Sequence, residues 1–122
     1  MRAVTGALCD LGCVAAFVVI GRASHTEGET IAGLARTAWP FVTGLAAGWV
    51  ATRAWRRPAA LAAAGIGVWL GTVAVAMVLR VVSGQGVAVA FVFVALAFLG
   101  LFMLGWRAAA RWLPRSRPQG TG

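Results

Sequence analysis

Asp10 is the side chain whose placement most needs a reason, because it is the one charged residue inside the apolar run Val4–Gly21. A carboxylate at mid-membrane costs roughly 2.5–3.5 kcal/mol on insertion scales. Such groups therefore face the protein interior, where they line an ion or substrate path or sit in a buried pair. Helical spacing puts Gly6, Cys13, Phe17 and Gly21 on the side of Asp10, with Leu8, Ala15 and Val19 opposite. Two chemistries follow. Asp10 is either a transport carboxylate exchanging a proton or cation, or half of a structural contact. The partner in that contact would be a snorkelling Arg53 or Arg56, or a neighbour's free backbone.

A second polar group comprises Arg22, His25, Arg36, Arg80 and Gln85, which gather at the far ends of the apolar runs. They could flank a vestibule that attracts anions, or they are ordinary helix-end cations at the headgroups. The lone histidine, His25, could sense pH, but a lone loop histidine is far more often just solvated. Cys9 and Cys13 are i,i+4 neighbours on one helix. No second Cys/His pair completes a metal site, so small apolar packing is expected. Met77 and Met103 with His25 make no haem site. With no nucleophile–base pair either, we expect no enzyme and no cofactor.

The elements that carry these residues are membrane helices. The chain has 122 residues, 61% hydrophobic and 11% charged, outside the soluble globular range. A net charge of +8 does not imply nucleic acid here, because the arginines sit between and after apolar runs. Apolar runs of about 20 residues span a bilayer, and four are present, at 4–21, 37–55, 58–79 and 87–106. The expected fold is an all-α membrane bundle of four spans within residues 1–113, followed by a disordered basic tail over 114–122. The start of the chain has some features of a secretory signal, but Asp10 and the lack of a cleavage site favour a retained helix.

Arginine placement sets the expected orientation. Arg2, Arg53, Arg56, Arg57, Arg107, Arg111, Arg115 and Arg117 share one side, eight of the eleven. The positive-inside rule makes that side cytoplasmic, with both termini in the cytoplasm of a cell-membrane protein. Trp55, Trp106 and Trp112 fall at that interface and Trp39 at the other, whereas Trp49 and Trp69 lie deeper as packing or pocket residues. The Arg107–Arg117 run with Trp106 and Trp112 reads as an anchor on anionic lipid.

Packing signals are local. Gly44-x-x-x-Gly48 and Gly67-x-x-x-Gly71 have the small-residue spacing of close helix contacts. Thr26-Glu27-Gly28-Glu29 fits a capping box, predicting a short interfacial helix through Ile31, Leu34 and Ala35. Thr37 then caps the second span, with Pro40 in its first turn. Gly44–Trp49 loosely echoes Gly100–Trp106, either a duplicated hairpin or biased composition.

Several strings together resemble a known family: Asp10, Ile20-Gly21-Arg22, His25, Thr37-Ala38-Trp39-Pro40-Phe41, Thr72-Val73, Leu79-Arg80 and Gly84-Gln85-Gly86. The set resembles small four-span bacterial and archaeal membrane proteins catalogued as domain of unknown function 3054, from Asp10 to about Arg107. That resemblance implies a four-helix membrane protein and no particular activity. A positional likeness to small multidrug exporters, which carry one acidic residue in their first helix, offers an analogy for mechanism only. Two functions remain in view: a small transporter or channel-like subunit using Asp10, or a non-transporting scaffold or accessory subunit. Either would live as a homo-oligomer or beside a partner membrane protein.

Overall fold

The computed structural model describes residues 2–23, 31–85 and 89–112, all helix, turn or short connection. Four α-helices follow in order: α1 (Ala3–Ala23), α2 (Ile31–Thr52), α3 (Gly67–Val82) and α4 (Val89–Trp112). A single 3₁₀ turn, Ala54–Arg56, follows α2, and a π-helical stretch, Leu61–Ile66, runs directly into α3. The fold is an all-helical bundle. Three stretches are long and apolar enough to cross a membrane: Ala3–Gly21, Leu61–Val82 and Val89–Trp112.

The α2 helix has 22 residues and equals these in length, but it is not among them. Arg36, Thr37 and Pro40 dilute its apolar character. Its start also differs from expectation. Ile31, Leu34 and Ala35 belong to α2 itself rather than to a separate interfacial helix, and Thr37 lies inside the helix rather than at its cap. The Thr26–Glu29 capping box falls outside the described residues.

The structure shows why the helix passes through Pro40. Proline has no N–H to donate to the carbonyl four residues earlier, which here is that of Arg36. The Gln85 Nε2 donates to that carbonyl instead, at 3.0 Å. Arg80 Nη1 in turn donates to Gln85 Oε1 at 3.1 Å, and its guanidinium lies 4.5 Å over the Phe91 ring. The loop after α3 thus supplies the donor that α2 lacks.

Both described helix-end turns use left-handed backbone. Gly84 (φ 82) ends α3, with Gly84 N–H to the Val81 carbonyl and Gln85 N–H to the Arg80 carbonyl, the bond pair of a Schellman motif. Arg53 (φ 54, ψ 46) is also left-handed after α2, with its N–H to the Val50 carbonyl at 3.3 Å. For a residue with a Cβ that conformation costs about 1–2 kcal/mol.

The most extensive interface joins α2 to α3, and glycines make it. A Cβ on Gly44 would fall 2.5 Å from the Thr72 carbonyl oxygen, and one on Gly48 3.1 Å from the Val68 backbone. Gly71 faces Gly48, and Gly67 faces the Thr52 side chain. The two small-residue motifs therefore meet each other. In one half of the bundle an aromatic cluster fills the centre: Phe17 lies 5.1 Å from Phe41, 5.8 Å from Phe91 and 5.4 Å from Phe98 between ring centroids. Leu99, Val14, Val68 and Ala76 complete the buried core.

Candidate functional site

The other half of the core holds a buried polar node. Asp10 sits seven residues into α1, about 10 Å from its start at 1.5 Å per residue, and is 0% exposed. It faces Arg107 of α4, also 0% exposed, in a two-pronged ion pair: Nη1 to Oδ1 at 2.8 Å and Nη2 to Oδ2 at 2.6 Å. Two indoles complete the shell. Trp106 Nε1 donates to Oδ1 at 2.8 Å, and Trp49 Nε1 of α2 donates to Oδ2 at 2.7 Å. Each carboxylate oxygen thus accepts two charge-assisted or indole hydrogen bonds. No lone pair is left pointing at open space.

The guanidinium is engaged nearly as fully. Arg107 Nε donates to the Pro58 carbonyl at 2.7 Å, and Nη1 also donates to the Met103 carbonyl at 3.1 Å. Its plane lies 4.5 Å over the Trp106 ring. The node therefore ties α1, α2, α4 and the connection before α3 into one contact. A buried charge pair repays its desolvation only when its remaining donors and acceptors are satisfied, and here both carboxylate oxygens and four of the five guanidinium N–H groups have partners.

Local backbone makes room for the node. Gly6, one turn before Asp10, lets α1 approach so closely that a Cβ there would lie 2.5 Å from the Pro58 side chain. Gly65, in the π-helical turn, leaves space for the Arg107 stem; a Cβ would sit 2.9 Å from its Cδ. The π turn itself carries a Gly65 N–H to Ala60 carbonyl bond at 2.9 Å. It delays the start of regular helix to Gly67, rather than the Pro58 expected from hydropathy.

These contacts revise several expectations. The partner of Asp10 is Arg107, whereas Arg53 and Arg56 are exposed. Arg107 and Trp106 are not part of a lipid anchor, because α4 runs unbroken to Trp112 and carries them into the bundle. The signal lay in the spacing: Ala95, Leu99, Met103 and Arg107 recur every four residues and are all buried. The tryptophans that end the two Gly–Trp echoes, Trp49 and Trp106, grip opposite oxygens of one carboxylate. Trp69 is a packing residue, donating to the Leu96 carbonyl and lying against Gly100. Trp39, Trp55 and Trp112 are exposed.

The second polar group is only partly assembled. Arg80, Gln85 and the Arg36 carbonyl form the clasp described above. The Arg22 side chain, His25, Arg115, Arg117 and the 114–122 tail lie outside the described residues. Cys13 is buried beside Asp10 on α1, and Cys9 is half-buried. Among the described residues no group of three or more His, Cys, Asp or Glu side chains comes together as a metal site would require.

Comparison with curated proteins and with solved structures yields no significant match. Over residues 7–110, which contain every residue of the Asp10 node, the chain matches the family described as "Protein of unknown function (DUF3054)". The chain belongs to that family.

Proposed function

We propose that this protein is a non-transporting membrane scaffold or accessory subunit, working through its outer helix faces rather than through an interior path. The observation that carries this reading is the saturation of Asp10 by four donors, two of them from Arg107. A transport carboxylate must release its partners to take up a proton or cation. Here that step would leave a buried arginine unpaired, which typically costs about 3–5 kcal/mol. The exposed apolar residues of α1 and α4, such as Leu8, Ile20, Phe93 and Leu101, are the surface offered to lipid, to a second copy or to a partner's helices. The arginine-rich end, with Arg2, Arg53, Arg56, Arg57 and Arg111, faces the cytoplasm of the cell membrane in this reading. In it, α2 makes the fourth crossing, held to α3 by its glycines.

Purified protein in liposomes loaded with a pH-sensitive dye tests the proposal. Wild-type vesicles should hold imposed proton, sodium and chloride gradients as long as empty vesicles do. Cross-linking in native membranes should trap one discrete larger species. Gradient collapse that requires the wild-type protein would overturn the scaffold reading.

A further inference from the structure

The connection between α2 and α3 carries a feature that the Asp10 node does not use. Thr52, Arg53, Arg56, Arg57, Ala63 and Ala64 line a concave groove of about 410 Å³, open to the surface. Three arginines thus line one hollow, and all three are exposed. Among the described residues the only carboxylate is Asp10, and its oxygens are committed to Arg107, Trp49 and Trp106. No described acid therefore neutralises the groove.

A second observation concerns the backbone. Arg53 holds a left-handed conformation (φ 54) that glycine would adopt without strain. Off-region backbone at a non-glycine residue points to a local role for that residue. Here the strained residue is one of the three cations of the groove.

We propose that this groove binds a phosphate group, and that a lipid headgroup supplies it. Arginine forks match phosphate oxygens with paired, charge-assisted hydrogen bonds. The groove lies at the turn between α2 and the membrane-crossing stretch Leu61–Val82, where headgroups gather. Thr52 is already committed, since its Oγ1 donates to the Gly48 carbonyl at 2.8 Å. Recognition thus falls to the arginines, and it selects charge and phosphate rather than a particular sugar or amine. The inference does not depend on the scaffold reading, since a transporter could hold the same lipid.

Thermal stabilisation in detergent reads the site directly, with three probes: phosphatidylglycerol, phosphatidylcholine and inorganic phosphate. Phosphatidylglycerol should raise the melting temperature, and phosphatidylcholine should raise it far less. Inorganic phosphate, acting alone at matched concentration, should do little if the source is a lipid. If it acts as strongly as the lipid, the phosphate site stands but its lipid source is overturned. The triple variant R53Q/R56Q/R57Q should bind phosphatidylglycerol at least about tenfold more weakly, as expected from losing charged hydrogen bonds. The control R2Q/R111Q, at the same end but outside the groove, should bind as wild type does. Two further variants separate binding from folding. R53G should be at least as stable without lipid yet bind it less well, and A63F should block the hollow with every charge kept. Lipid stabilisation that survives the triple variant, or falls equally in R2Q/R111Q, would overturn the proposal.

Discussion

The Asp10 carboxylate is held by four hydrogen bonds, two from Arg107 and one each from the Trp49 and Trp106 indoles. A lone Asp10 in a membrane-spanning helix is expected to be either functional or paired, and sequence reasoning could not choose. The structure pairs it with Arg107 and adds two indole donors. The inward face of α1 was legible, since 3.6-residue spacing places Gly6, Cys13 and Phe17 beside Asp10 and all three are buried. The partner was not, because an arginine near the end of a hydrophobic run reads as a headgroup cation until its helix is known to continue. Hydrogen bonds to a charged acceptor contribute about 1.5–3 kcal/mol net. Trp49→Phe and Trp106→Phe should therefore each lower unfolding stability by roughly that amount in a detergent titration, leaving the fold intact. No loss in either variant would mean that the indoles merely pack beside the carboxylate.

Element boundaries followed hydropathy where nothing polar intervened and departed from it where it did. The α1 and α4 helices start within two residues of the apolar runs that predict them. The α2 helix begins well before Thr37 and runs through Pro40, where Gln85 supplies the donor that proline removes; a long-range contact of that kind leaves no local trace. The α3 helix is preceded by a π turn, whose wider winding accommodates the Arg107 stem at Gly65. Small-residue spacing found the α2–α3 contact, although such spacing arises often in a glycine-rich chain. The glycines differ in what they permit. Gly44→Ala would push a methyl group to within 2.5 Å of the rigid Thr72 carbonyl, so the helices must separate. Gly12 on α1 has nothing within 4 Å of an added Cβ, and alanine is the better helix former by about 0.8–1.0 kcal/mol. Gly44→Ala should lower the melting temperature and Gly12→Ala should hold or raise it. Equal effects would remove the argument for close α2–α3 contact.

For the whole molecule, the arginine bias and the helix count make one orientation prediction. With both termini in the cytoplasm, a cysteine at Ser83, in a background lacking Cys9 and Cys13, should react with an impermeant reagent on intact cells. One at Ser116 should react only after lysis, and the reverse pattern would invert the topology. What holds the molecule together at its arginine-rich end is the Asp10–Arg107 pair, which joins α1 to α4 across the bundle. A double-mutant cycle tests that claim most directly, with unfolding of wild type, Asp10→Asn, Arg107→Met and the double variant compared in one detergent. Each single change strands a buried polar partner and should cost about 3–5 kcal/mol. The double variant buries no unpaired charge and should recover much of that loss, giving a coupling energy of at least about 1 kcal/mol. Single losses that are small, or that simply add in the double variant, would contradict the pair as the clamp of this fold.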